Sequence, residues 1–187
     1  KASIMENSDQ KVVDGFGLEW TKYDQSLCDL NLEEAFDQYF SIFPSGFLHS
    51  NSVGFDAGCG SGRWAKYIAP KVKHLFCIDA SYKAIQVAER NLTGLNNCSF
   101  ECSSIDKCNL SENSMDFGYS LGVLHHIPDT TSALKTCVSK LKRNSPFLVY
   151  LYYKFDNKPF WFKLIWKMTD IARRIICLLP FYLKLYV

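Results

Sequence analysis

Ser52-Val53-Gly54-Phe55-Asp56-Ala57-Gly58-Cys59-Gly60-Ser61-Gly62-Arg63 decides how the rest of the chain is read. An apolar run ends in an acid and a glycine-rich turn follows. Arg63 to Ala69 then reads as a short helix stopped by Pro70. Strand, tight turn and helix in that order build a nucleotide-type site. Glycines allow positive φ and close backbone approach, and the next helix begins with unpaired N–H groups. Gly58, Gly60 and Gly62 give G-x-G-x-G, and Arg63 stands where the dinucleotide fingerprint G-x-G-x-x-G has its third glycine. Asp56, two residues before the first glycine, would repel a pyrophosphate and suits a cationic ligand. No G-K-[ST] follows, which argues against a P-loop.

Leu75 to Asp79 is a second apolar strand, as expected for a sheet covered on both faces. Asp79 lies 19 residues past Gly60, close to the interval of about 20 residues between a glycine turn and a ribose-binding acid. Ser81 is placed to cap a helix over 82–92. Short strands are read at 99–102, 115–120 and 147–152. An amphipathic helix follows Asp129 or Thr130, with Leu134, Cys137, Val138 and Leu141 on one face. Strand–helix alternation predicts an α/β fold with a doubly wound, mostly parallel sheet flanked by helices. Ligands then sit at the carboxyl ends of the strands, where Gly58, Asp79, Ser104 and Leu121 fall.

Three stretches resemble the class I S-adenosylmethionine-dependent methyltransferases of the small-molecule type. They are Asp56 to Gly62, Phe76-Cys77-Ile78-Asp79-Ala80-Ser81, and Ser114 to Asp129, which includes Leu121-Gly122-Val123-Leu124-His125-His126. The resemblance covers roughly residues 50–152. It implies a Rossmann-like sheet and S-adenosyl-L-methionine as cofactor, with S-adenosyl-L-homocysteine as product. It implies a cofactor lying against Asp56, Ala57, Gly58, Cys59, Gly60 and Arg63, with Asp79 and Ala80 at the ribose and Leu121 and Gly122 under the methionine end. Ser104 and Ile105 fall at the adenine loop, where the family often has an acid before an apolar residue. Ser104 occupies the acid position here, and Asp106 is the alternative partner. His125 and His126 are candidate general bases, since imidazole titrates near neutrality. Shaping the loop is their other role, and Tyr23 and Tyr152 are weaker candidates.

Ahead of the core, residues 1–14 read as loose. Phe16-Gly17-Leu18-Glu19-Trp20-Thr21-Lys22-Tyr23 reads as a loop-like aromatic segment, either a strap on the surface or a lid placing Trp20 over a sulfonium, which aromatic faces attract. Leu32, Ala35, Phe36, Tyr39, Phe40 and Phe43 have helical spacing up to Pro44.

The chain has 187 residues, 48% of them hydrophobic, and a net charge of +2. That suits one folded domain and shows no overall polyanion-binding signature. The eight cysteines form no C-x-x-C pair and read as reduced, buried thiols of a cytoplasmic protein, with a zinc site at Cys98, Cys102 and Cys108 the lesser reading. Residues 158–187 carry six basic residues and one acid, net +5, so the remainder carries −3. Phe160, Leu164, Met168, Ile171, Ile175 and Leu178 make one stripe there, and Lys163, Lys167, Asp170 and Arg174 the opposing one. This is read as a cap helix, a helix meeting a membrane surface or lipid, or a partner-binding helix.

The expected organisation is an N-terminal lid and helix over 1–46, a cofactor-binding core over 47–157 and a basic amphipathic helical extension over 158–187. The usual final one or two strands are not found, which predicts a fragment of a longer protein. The expected activity is methyl transfer to an O, N or C atom of a small molecule, with no nucleic acid as partner. RNA or protein methylation, and a cofactor-binding interaction module without transfer activity, are the alternatives. An NAD-dependent oxidoreductase is disfavoured by the glycine spacing. Oligomeric state is not legible.

Overall fold

Strand β1 (Val53–Ala57) runs through the middle of a five-stranded sheet whose other members are β2 (His74–Asp79), β3 (Cys98–Cys102), β4 (Phe117–Leu121) and β5 (Phe147–Tyr150). The strand order is β3-β2-β1-β4-β5 and every pairing is parallel. The direction of winding reverses between β1 and β4, which puts the crevice of a doubly wound sheet at their carboxyl ends. This computed structural model describes residues 7–22, 29–152 and 158–178.

The central strand pair packs by exchange of glycine and aromatic ring. Gly54 pairs with Phe117, and Phe55 with Gly118. A Cβ on Gly54 would overlap the Phe117 ring, and one on Gly118 would overlap the Phe55 ring. Each ring therefore lies flat across its neighbour, on opposite faces of the sheet. Toward one face pack Phe36 and Phe40 of α2 (Asp29–Phe40), Ala65 and Ile68 of α3 (Ala65–Ile68), and Ile85 and Ala88 of α4 (Tyr82–Asn91). Ala133 and Cys137 of α5 (Thr130–Lys140) cover the other with Phe55, Ile78 and Leu124. At the amino edge, Asp116 accepts from Val53 N–H at 2.9 Å and pairs with Lys142 at 2.6 Å.

Local signals account for most element ends. Ser81 Oγ accepts from Ala84 N–H, and Asp129 accepts from Ser132 N–H, so Asp129 is the cap of α5. The helix after the glycine turn is shorter than expected, because Pro70 falls in a 3-10 turn at Ala69–Lys71. Strand β5 stops at Tyr150 rather than Tyr152, and Met115 only bridges to Leu141 ahead of β4. Val138 is exposed, not on the inner face of α5, because Ala133, Cys137 and Leu141 at i, i+4 and i+8 define that face.

The largest correction concerns residues 10–22. They form helix α1 (Gln10–Lys22) rather than a loose start and an aromatic loop. Val13, Phe16, Gly17 and Trp20 have helical spacing, and Gly15 and Gly17 disguised it. Gly17 is buried because a Cβ there would overlap Ser81 Oγ. Glycine in a helix interior costs about 0.5–1 kcal/mol, and here it allows α1 to approach the start of α4.

The described residues fall into two compact units that divide between Leu151 and Tyr152. The second contains α6 (Phe160–Leu178), and among the described residues no helix is long and apolar enough to cross a membrane. Phe160, Leu164, Met168 and Ile171 of the expected apolar stripe are exposed. Ile175, Leu178 and Arg174 of the expected stripes lie outside the described side chains.

Candidate functional site at the carboxyl edge

Beyond Ala57 the backbone turns through Gly58, Gly60 and Gly62, at φ of 82°, 55° and 77°. The Gly58 and Cys59 N–H groups both donate to Ile78 O, at 2.7 and 3.0 Å, which ties the turn to the end of β2. One residue on, the two oxygens of Asp79 divide their work. Oδ2 accepts from Gly60 N–H at 2.9 Å and Oδ1 from Ser81 N–H at 2.8 Å. A carboxylate offers about four acceptor positions, so each oxygen retains capacity for one more donor.

Across the crevice, Ser120 Oγ–H donates to Ala57 O at 2.7 Å, and Gly122 N–H to Tyr150 O at 3.0 Å. Val123 lies so close to Gly58 that a Cβ there would overlap it. Leu121 is buried at the end of β4, and Gly122 follows at φ 77°. Past β3, Ser104 Oγ is buried without a hydrogen-bond partner. Ile105 packs into the cluster of Leu110, Met115 and Leu124, while Ala80 and Asp106 are exposed.

Helix α1 crosses this edge. A Cβ on Gly60 would come 2.9 Å from the Trp20 indole, so the ring lies directly on the turn. The Arg63 guanidinium sits 5.4 Å from the Trp20 ring and 4.5 Å from that of Trp64. Phe16 stands 4.9 Å from the His126 ring, and His125 and His126 are 4.0 Å apart, centroid to centroid. Further up, the Asn7 amide donates to Asp129 O at 3.0 Å and accepts from Asp129 N–H at 2.8 Å. The segment thus touches the glycine turn, the start of α4 and the loop after β4.

Beneath the turn lies a buried polar row. Asp56 pairs in register with Cys77 on β2 and Tyr119 on β4, and all three side chains are essentially inaccessible. Ser61 Oγ and Trp64 Nε1 lack a hydrogen-bond partner, and the Tyr119 hydroxyl lies beside Asp56 short of full hydrogen-bond geometry. Burial pushes the Asp56 carboxyl up to about 8; the Tyr119 hydroxyl beside it and Arg63 pull the other way, and the charge of Asp79 adds to the rise. Burial also raises Asp79, against the pull of the Ser81 and Gly60 N–H groups. His125 and His126 are both lowered by burial, His125 by its neighbour as well.

Of the residues read from the sequence, the structure brings Trp20, Gly58, Gly60, Arg63, Asp79, Ala80, Leu121, Gly122 and the His125–His126 pair to one edge. Ala57, Cys59 and the side chains of Asp56 and Ile105 are in the core below it. Tyr152 is exposed, and Tyr23 lies outside the described residues. Cys59, Cys77, Cys108 and Cys137 are buried free thiols, but Cys102 is exposed. Among the described residues no group of three or more His, Cys, Asp or Glu could hold a metal ion. Sequence reasoning missed Gly17 and Tyr119. Helical spacing around Gly17 was the available signal, whereas Tyr119 acquires its place only through the β1–β4 register.

Residues 55–149 match the methyltransferase domain family. The chain is 31% identical over 86 residues to an uncharacterized RNA methyltransferase of Staphylococcus aureus, covering 45% of this chain and 19% of that protein. A Staphylococcus epidermidis relative of the same description is 28% identical over 131 residues, 68% of this chain and 28% of its own length. The chain thus spans less than a third of these curated relatives. In fold it is similar to the N-methyltransferase NodS from Bradyrhizobium japonicum, solved with S-adenosyl-L-homocysteine (TM-score 0.55, 24% identity, 62% of this chain and 60% of that one). It is likewise similar to phosphoethanolamine N-methyltransferase 1 of Haemonchus contortus, solved with phosphoethanolamine and S-adenosylhomocysteine (TM-score 0.57, 17% identity, 70% and 30%).

Proposed function

The chain belongs to the methyltransferase domain family, and on that premise we propose that it transfers a methyl group from S-adenosyl-L-methionine to an O, N or C atom of a small molecule. The observation that carries this reading is the Asp79 clamp. Its carboxylate already holds the Gly60 and Ser81 N–H groups, and its remaining acceptor capacity suits the two hydroxyls of a ribose. Ser104 Oγ, buried and unpartnered, is available to an adenine amine. Trp20 at the glycine turn, whose ring already carries the Arg63 guanidinium at 5.4 Å, is suited to face a cation.

When bound, S-adenosyl-L-methionine supplies a methyl group on a sulfonium, already activated for displacement. The chain's own residues orient and enclose. Holding the reacting atoms in line is worth roughly 7–11 kcal/mol, and α1 packs on Gly60 and His126 at this edge. His125 and His126, kept neutral by burial, are the groups at this edge able to take a proton from an acceptor that must lose one.

RNA methylation is the second reading, favoured by the names of the curated relatives. Incubation with methyl-labelled S-adenosyl-L-methionine, a metabolite extract and total RNA separates the possibilities. Label in the small-molecule fraction is expected. Label in RNA would replace the first reading by the second, and donor binding without transfer to either pool would leave a cofactor-binding module.

A further inference from the structure

Helix α6 carries features that methyl transfer does not use. At about 100° per residue, Phe160, Trp161, Leu164, Ile165, Met168 and Ile171 fall within an arc of about 140°, and each is half or more exposed. Lys163, Lys167, Asp170 and Arg173 fall on the remaining arc. Asp170 is 3.5 Å from Arg173, so the one acid of the helix is set beside a base. Residues 158–178 contain five basic residues and that single acid, net +4, against +2 for the whole chain.

We propose that α6 is a membrane-surface helix that lies in the interface of bilayers containing anionic lipid, with its apolar arc toward the acyl chains. A wide apolar arc with Trp and Phe, backed by an arc of Lys and Arg, is the pattern that sinks to the boundary of headgroups and acyl chains. Net charge selects the occupant. Anionic headgroups attract a +3 helix with Lys158 just ahead of it, whereas a second copy of the same helix would bring like charges together. Charges at this density are also incompatible with a span, and no described helix meets the length and apolarity for one.

The test is co-sedimentation of the whole chain with vesicles of phosphatidylcholine alone and with one-third phosphatidylglycerol. Binding is expected to the mixed vesicles only, and to fall at least tenfold between low and high salt as screening shortens. Lys163→Gln and Lys167→Gln should each weaken it about fivefold. Met168→Glu, at an exposed position, should abolish it. Circular dichroism of each variant separates loss of binding from loss of the helix, and Leu164→Glu repeats the apolar test if Met168→Glu unfolds. Absence of binding, or binding indifferent to phosphatidylglycerol and salt, would overturn the proposal. Concentration-dependent self-association removed by Met168→Glu would instead assign the arc to a second copy.

Discussion

Two neighbouring rows of the same strands, one on each face of the sheet, are chemically opposite. On the α5 side, register aligns Phe76, Phe55, Gly118 and Phe147 across four strands, with Phe55 and Phe147 stacked at 5.9 Å. One residue along, on the α2–α4 side, the row is Cys77, Asp56, Tyr119 and Leu148. The first row is hydrocarbon in close contact. The second buries a carboxyl and a phenol that lie side by side short of full hydrogen-bond geometry, which ordinary packing avoids because each unsatisfied polar group costs about 1–3 kcal/mol. The apolar row stabilises the fold, and the row that carries a cost runs directly under the glycine turn.

The apolar row should respond most strongly to mutation. Phe55→Ala removes the ring that fills the space over Gly118, and should destabilise by about 3–5 kcal/mol in urea unfolding. A loss under 1 kcal/mol would show that the row is not the mainstay of the core.

Next comes pH. Folded Asp56 keeps its proton up to about pH 8, whereas in the unfolded chain it ionises in the ordinary aspartate range. The folded state therefore binds more protons between those limits, and stability falls as pH rises through them. Measured as wild type minus Asp56→Asn, which cancels the opposite contribution of His125 and His126 below about pH 6.5, the slope should approach about −1.4 kcal/mol per pH unit between pH 5 and 7. A flat difference would mean the carboxyl is solvated or paired after all.

Gly118→Ala should cost about 1–3 kcal/mol, since the new methyl must displace the Phe55 ring. The smallest effect is the one of opposite sign. Tyr119→Phe deletes a buried hydroxyl held beside Asp56 short of full hydrogen-bond geometry and should stabilise the protein by about 1 kcal/mol. Destabilisation there would show that the hydroxyl is bonded in solution.

Much of this was legible in the sequence where local chemistry dominates. The strand ahead of the glycine turn was placed correctly because its apolar run is bounded by Ser52 on one side and the turn on the other. The Ser81 cap and the Asp79 interval are equally local signals. What could not be read depends on neighbours distant in the chain. Gly17 looks like a loop residue until Ser81 is placed against it, and the Asp56–Tyr119 pairing exists only through a register between segments 63 residues apart. The α1 contacts with Gly60, Ser81, His126 and Asp129 are of the same kind. An aromatic segment could be suspected of covering the site, but its helical form was hidden by its glycines.

Titration calorimetry with S-adenosyl-L-homocysteine, run on the wild type and on Asp79→Asn, reports whether Asp79 holds the cofactor. Binding by the wild type is predicted, weakened about 10–100-fold in the variant as charge-assisted hydrogen bonds worth about 1.5–3 kcal/mol are lost. No uptake by the wild type, or equal affinity in both proteins, would contradict that role.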